Sequence, residues 1–199
     1  MKHRYIFSSS PIAAFGLEIV VCLVAFLGAA EARAESMSIV AIGADNVYGT
    51  GRGGRNPGGV SPNEAFPAQL EQLLRARGID AHVTNSGVPG DTSKGMLGRL
   101  DSSVPDGTQL VVLDRANGND KKTGMYADQA SYINEIRSRL SARRIALIIL
   151  PAWESIPGAI ANRDPDGHHF TAQGHASIAR YLLPKVVALH GRLSPNKRN

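Results

Sequence analysis

The sequence is poor in cysteine and in aromatic residues, and both shortages exclude classes of function. Its single cysteine, Cys22, precedes residue 35. A chain that begins at residue 35 therefore has no thiol for a disulfide, a cysteine nucleophile or a thiolate metal site. Aromatic residues make up 6% of the sequence, and the net charge of +5 is not clustered. Nucleic-acid grooves combine clustered basic residues with aromatics, so we expect no nucleic-acid partner.

The amino-terminal residues have the pattern of a secretory signal peptide. A basic start is followed by an apolar run over residues 19–30 and by small residues at 32–34 (A-R-A) that suit a cleavage site. Glu18 limits the apolar run to about a dozen residues, fewer than the ~20 that span a bilayer. We therefore predict that residues 1–34 are a cleaved leader rather than a retained membrane anchor. The protein is then periplasmic or secreted, with no stable membrane insertion.

Residues 35–193 alternate apolar runs with helical patterns, and residues 194–199 form a polar tail. The predicted strands are residues 38–43, 79–84, 109–113 and 145–150. The predicted helices are residues 64–77 with Asn63 as the cap, 93–103, 126–142 and 171–190. This alternation predicts one α/β domain of three α/β/α layers around a parallel sheet of four to five strands. Ligands bind beyond the carboxyl ends of such strands, so four polar loops should meet on one rim: 43–49, 85–93, 117–120 and 151–169.

Residues 166–175 (D-G-H-H-F-T-A-Q-G-H) place a carboxylate three positions before an imidazole, in a loop that enters a helix. At this spacing Asp166 can hydrogen-bond one ring nitrogen of His169, which fixes the tautomer and leaves the other nitrogen as a base. Taken alone, the stretch is more typical of a polar turn with surface histidines. A metal site built from His168, His169 and His175 lacks acidic ligands at a suitable spacing.

Two further loops carry backbone and amide donors. Residues 85–93 (N-S-G-V-P-G-D-T-S) contain Gly90, whose missing side chain lets the backbone approach a reacting oxygen closely. The same loop is also consistent with a glycine turn before a helix capped by Asp91 or Thr92. Residues 117–120 (N-G-N-D) are by themselves only a weak turn signal.

In this order, the loops resemble the sequence blocks of the SGNH (GDSL-type) hydrolases, which include periplasmic thioesterases, lysophospholipases and arylesterases. The resemblance covers residues 38–190 and implies a flavodoxin-like fold and the hydrolysis of ester bonds. It further implies that His169 is the catalytic base and that Asp166 orients it. Gly90 and Asn119 match the family's donors to the oxyanion.

The first block departs from the family pattern at one position. Residues 39–49 (I-V-A-I-G-A-D-N-V-Y-G) resemble it closely, but Asp45 stands where the family has its nucleophilic serine. An aspartate side chain is ionised at neutral pH, has no hydroxyl proton for a base to remove, and repels a developing oxyanion. The resemblance therefore implies an ester or thioester hydrolase that is impaired or inactive in serine chemistry. Asn117 in place of a glycine, and the preceding Asp114-Arg115 pair, are smaller departures.

Several functions stay open at this point. The protein can bind acyl or glycan ligands without turnover, or serve as a structural module of the envelope. It can also hydrolyse by another route, in which His169 or Asp45 activates water or Asp45 attacks an alkyl carbon. An ion pair between Asp45 and His169 would close the site, and Trp153 either lines the pocket or packs against a helix. No pattern indicates a cofactor, a metal or an oligomer, so we expect a monomer with a small acyl ester or glycan ligand.

Overall fold

A computed structural model describes Met1 and residues 36–50 and 58–193 of the chain. The predicted leader, residues 1–34, and the predicted tail, residues 194–199, lie outside the described residues apart from Met1. In the part of the chain that the structure describes, no helix has the length and apolar character needed to cross a lipid bilayer.

The centre of the fold is a parallel sheet of four strands. The strands are β1 (Met37–Gly43), β2 (Ala81–Gly87), β3 (Leu110–Leu113) and β4 (Ala146–Ile149). They lie in the order β2-β1-β3-β4, and Ile39 of β1 is paired with Val83 on one side and Leu110 on the other. The predicted α/β fold with a parallel sheet is therefore confirmed, and its four strands lie at the lower end of the predicted range.

Helices cover both faces of this sheet. They are α1 (Asp45–Tyr48), α2 (Phe66–Arg75), α3 (Ser93–Gly98), α4 (Leu100–Ser103), α5 (Asn117–Thr123), α6 (Gln129–Ala142) and α7 (Ala172–Leu193). Ile39 and Ala41 of β1 pack into the core shared with α2 and α7, whereas Val40 and Ile42 pack into the core shared with α3, α4 and α6. Successive side chains of a strand point to opposite faces, so an uninterrupted apolar strand is buried on both sides. Each fully buried isoleucine or leucine contributes about 2 kcal/mol.

The predicted helix at 64–77 is shorter than expected, and its predicted cap is wrong. Helix α2 begins at Phe66, and no side chain in its first turn accepts a capping hydrogen bond. Instead, the backbone N–H of Phe66 donates to Nδ1 of the buried His175 at 3.2 Å. Asn63 lies in the preceding turn. The acceptor at the start of α2 is thus a histidine 109 residues away, and not the neighbouring asparagine that the local pattern predicts as the cap.

Three other predicted boundaries change for similar reasons. The helix predicted over 93–103 divides at Arg99, which leaves the helical conformation (φ −106°, ψ 11°). The stretch 117–120, predicted as a loop, is the first part of α5. The helix predicted from residue 126 opens with a 3₁₀ turn, Tyr126–Asp128, before α6 begins. At Arg99 the break is tertiary in origin, because its side chain reaches the ends of β1 and β2.

Candidate active site

A cleft of about 680 Å³ lies beyond the carboxyl ends of the strands. Its lining comes from residues 44–46, 114–119, 150–154 and 168–169, together with Lys121, Lys122 and Arg163. The loop that carries Gly90 reaches the same place through a hydrogen bond to Asp45. The structure thus brings all four predicted polar loops to one rim of the sheet.

The carboxylate of Asp45 accepts hydrogen bonds from two different loops. The backbone N–H of Gly90 is 3.2 Å from each of its two oxygens. Nδ2 of Asn119 is 3.0 Å from Oδ2 of Asp45 and 2.9 Å from the carbonyl oxygen of Asp91. The two groups that the resemblance designates as oxyanion donors are therefore directed at a carboxylate of the protein itself.

Arg99 holds this part of the rim together. Its guanidinium donates to Gly43 O at 3.1 Å, to Oδ2 of Asp91 at 2.8 Å and to the hydroxyl oxygens of Ser86 and Ser103 at 3.0 and 2.9 Å. It therefore joins the ends of β1 and β2 to the loop that supplies the Gly90 donor. Arg99 does not stand out in the sequence, because an arginine inside a helical pattern has no local signal that distinguishes it.

The turn between β3 and α5 is conformationally unusual. Ala116 has a left-handed backbone (φ 52°, ψ 37°), which costs an L-residue roughly 1–2 kcal/mol. Asp120 of α5 is buried and accepts hydrogen bonds from the N–H of Ser93 at 2.9 Å and from the amide of Gln129 at 2.7 Å. These bonds tie α5 to α3 and α6. They fix the position from which Asn119 donates.

Asp114 is a second carboxyl group in the cleft wall, half-buried at the end of β3. The surrounding protein atoms desolvate it and raise its pKa to about 6. A hydrogen bond from the N–H of Ala116 and the charge of Arg115 oppose this rise, and the charge of Asp45 adds to it. In the sequence, the Asp114-Arg115 pair stands out only as a departure from the family pattern, with no sign of a raised pKa.

His169 and Asp166 form the pair that their spacing predicts. Nδ1 of His169 makes a short hydrogen bond with Oδ2 of Asp166, while Oδ1 accepts the N–H groups of His168 (2.8 Å) and His169 (2.9 Å). Burial raises the pKa of Asp166, but the hydrogen bonds from His169 and His168 outweigh it and lower the pKa to about 2. With Nδ1 engaged, Nε2 is the nitrogen left for proton chemistry. Gly58 packs so closely on Asp166 that no side chain fits there.

Asp45 and His169 do not pair with each other. Among the described residues, the ring of His169 has its ion-pair contact with Asp166 and Asp45 has none with it. The two loops meet instead through Asn46, whose amide lies 3.5 Å from the carbonyl oxygen of His168. The closed, ion-paired site considered from the sequence is therefore absent.

Trp153 and His175 are two aromatic residues near the cleft whose roles the sequence leaves open. Trp153 both lines the cleft and packs edge-on against Phe170, with ring centroids 5.3 Å apart. His175 is fully buried between Phe66 and Phe170, and desolvation lowers its pKa to about 4, with a smaller effect from His169. Within residues 36–50 and 58–193, no group of three or more His, Asp or Glu side chains is arranged to hold a metal ion.

The chain is similar in sequence and in fold to known esterases. It is 26% identical to esterase TesA of Pseudomonas aeruginosa over 149 residues, which cover 68% of this chain and 69% of that protein. Its fold matches the crystal structure of TesA with a TM-score of 0.63 at 19% identity, covering 77% of this chain and 99% of that one. It also matches a lipolytic protein of the G-D-S-L family from Desulfitobacterium hafniense with a TM-score of 0.58 at 18% identity, covering 75% and 99%. No protein-family model matches the sequence.

These findings agree with the arrangement of the rim. The solved structures establish the fold, and the sequence similarity to an esterase adds to the four loop patterns that meet at the cleft. The chain therefore has the fold of the SGNH (GDSL-type) hydrolases, and its sequence is similar to that of an esterase.

Proposed function

We propose that this protein is an exported SGNH-family member that binds acyl or glycan esters in its cleft and is silenced for serine-type hydrolysis by Asp45. The observation that carries the proposal is the position of the Asp45 carboxylate, which accepts the hydrogen bonds of Gly90 and Asn119. Export rests on the signal-peptide pattern of residues 1–34.

The position of Asp45 removes two requirements of the usual mechanism at once. Serine hydrolysis needs a hydroxyl whose proton passes to the histidine, and it needs free donors aimed at the developing oxyanion. Asp45 has no hydroxyl. Its carboxylate also occupies the donors of Gly90 and Asn119, so an incoming carbonyl oxygen has to compete with a negative charge that is already in place.

The other half of the machinery supports a role for the cleft itself. His169 is held by Asp166, and its Nε2 makes no hydrogen bond to any described residue. Trp153 supplies an aromatic wall to the same cleft. The similar proteins are named as an esterase and a lipolytic protein, which favours small esters as the ligand class.

The test is to restore the nucleophile. We expect the wild-type chain, residues 35–199, to hydrolyse p-nitrophenyl acetate and octanoyl thioesters no faster than its His169→Ala variant. Asp45→Ser should gain at least about a hundredfold in kcat/KM, because loss of a nucleophile typically costs several orders of magnitude. The gain should disappear in Asp45→Ser combined with His169→Ala.

Asp45→Asn is the matched control, since it removes the charge without supplying a nucleophile. It should stay as inactive as the wild type. Wild-type turnover that depends on His169, or an inert Asp45→Ser protein that is folded, would show that the site is not a serine site silenced at one residue.

One observation favours a second candidate, which is hydrolysis by acid–base chemistry without a serine. Asp114 lies in the cleft wall with its pKa raised to about 6, so it can give a proton to a leaving group in mildly acidic solution. In that case the wild type turns over ester or glycosidic substrates faster as the pH falls from 7 to 5, and Asp114→Asn abolishes this activity. An inert wild type excludes this candidate for the substrates tested.

A further inference from the structure

One wall of the cleft carries three cationic side chains. Arg115 precedes α5, and Lys121 and Lys122 lie in its last turn. The charge of Arg115 acts on the neighbouring carboxyl group of Asp114, whereas Lys122 makes no ion pair with any residue that the structure describes. Nζ of Lys121 lies 4.9 Å from the ring centroid of Tyr126 and has no carboxylate partner within the described ranges.

The other charged groups of the cleft already have partners. Arg163 lies 3.6 Å from Glu154, donates to Gly167 O at 2.7 Å and stacks over the ring of Phe170 at 5.5 Å. On the floor, the Asp45 carboxylate is bonded by two neutral donors, which do not cancel its charge, and Asp114 interacts electrostatically with Arg115. The cations of the cleft that have no carboxylate partner among the described residues are therefore Lys121 and Lys122, in the last turn of α5.

The backbone that presents this wall is also strained. Ala116, between Arg115 and α5, has the left-handed conformation described above although it is not glycine. Strain of this kind persists where the surrounding structure fixes it, and it clusters at functional sites. The left-handed turn joins β3 to α5, the helix that carries Lys121 and Lys122.

We propose that the ligand of this cleft carries a carboxylate or phosphate group, which binds Arg115, Lys121 and Lys122 while the rest of the molecule contacts Trp153 and the floor. The inference rests on the proposed binding function and narrows its ligand class to anionic acyl esters or anionic sugars. Hydrogen bonds from a cation to an anion are about twice as strong as neutral ones, so the charged group is the main source of selectivity.

Trp153 makes the test direct, because it is the only tryptophan of the chain and lines the cleft. Its fluorescence is followed while wild-type protein is titrated with two matched pairs of probes. The first pair is mono-octyl succinate and its neutral methyl ester; the second is glucose 6-phosphate and glucose. We expect the anionic member of at least one pair to bind about tenfold tighter or more at low salt. The advantage should shrink at high salt because the group is partly exposed.

Two variants locate the effect. The double substitution Lys121→Gln and Lys122→Gln should abolish the preference for the anionic probe and leave the affinity for the neutral probe unchanged. Lys185→Gln is the matched control, since Lys185 lies on α7 outside the cleft and also covers an aromatic ring, with Nζ 4.6 Å from the centroid of Tyr181. It should keep the full preference.

The outcomes separate this inference from the function on which it rests. If the neutral probes bind as tightly as the anionic ones, or if the double variant keeps the preference, the cationic wall is not the binding site while the cleft still binds ligand. If no probe alters the fluorescence of Trp153, the anionic ligand class is overturned for both carboxylate and phosphate. The hydrolysis assay of Asp45→Ser still tests, independently of this result, whether the site is a serine site silenced at one residue.

Discussion

The loop that carries His169 and the loop that carries Asp45 face the same cleft, but their polar groups are used differently. His169 has one nitrogen held by Asp166 and the other available, whereas both oxygens of Asp45 accept hydrogen bonds from neighbouring loops. The first arrangement is prepared to move a proton. The second resembles a site already filled by an anion.

The site has two halves, one around His169 and one around Asp45, and this difference shows that they are supported separately. The His169 half is held by contacts within residues 164–169 and by the close packing of Gly58 on Asp166. The Asp45 half is held by Arg99 and by the donors of the β2 and β3 loops. The two loops touch through the long contact of Asn46 with His168 O, but the groups that fix each half are different, so we expect a change at the nucleophile position to leave the histidine pair intact.

The largest expected effect comes from removing the support of the Asp45 half. Arg99→Met removes the guanidinium from the part-buried carboxylate of Asp91 and from the carbonyl of Gly43, and the loss of such an ion pair costs about 3 kcal/mol. Urea unfolding measures the loss. The ring signals of His169 should stay unchanged in the folded variant, while the side-chain amide signals of Asn119 shift.

Arg143→Met serves as the control for that measurement. Arg143 also binds a backbone carbonyl, Val104 O at 2.7 Å, but its carboxylate partner Asp106 is exposed, so the cost should be under about 1 kcal/mol. Equal losses in the two variants, or a shift of the His169 signals in Arg99→Met, would contradict the separate support of the two halves.

Acid should act on the two halves in opposite directions. The pKa of His175, whose ring packs against Phe170 next to His169, falls from 6.5 to about 4 on burial. The unfolded chain therefore takes up a proton first as the pH falls below 6.5, and roughly 3 kcal/mol of stability is lost by pH 4. The pKa of Asp114 rises from 3.8 to about 6, so the folded chain takes up that proton first and its contribution to stability increases between pH 6 and 3.8.

Single variants separate these contributions. The free energy of unfolding is measured from pH 7.5 to pH 4.5 in wild type, His175→Asn and Asp114→Asn. Asparagine keeps an acceptor for the Phe66 N–H without a titrating ring, so this variant should lose less stability than wild type on acidification. Asp114→Asn should lose more. Parallel curves for all three proteins would show that neither pKa shift is coupled to folding.

The smallest effect concerns the strained turn beside Asp45. Ala116 and Arg144 are the non-glycine residues with positive φ in the described ranges, at 52° and 58°, and only Ala116 is in the cleft. Glycine relieves the left-handed strain but loses more entropy on folding, for a net gain of about 0.5–1 kcal/mol at the exposed Arg144. Ala116→Gly should gain less, because it also removes the methyl group of a residue that is only 6% exposed. A larger gain at Ala116 in urea unfolding would mean that its methyl group contributes nothing to packing.

Much of the fold could be predicted because its signals are local. The strand of residues 39–42 reads as apolar at every position, and its side chains do alternate between the two cores. The Asp166–His169 pair is also local, since its partners are three positions apart. The boundaries that were wrong, at Phe66 and Arg99, depend on hydrogen bonds to residues far away in the chain.

The order of the four strands and of the longer helices along the chain, the four polar loops and the chemical identity of Asp45 follow from the sequence alone, because apolar periodicity and residue type are properties of neighbouring positions. The place of the Asp45 carboxylate and the groups that bond it are set by the tertiary fold. Its donors come from residues 45 and 74 positions away, and Arg99 reaches Gly43 across 56. The sheet brings these loops together because the carboxyl ends of parallel strands share one edge.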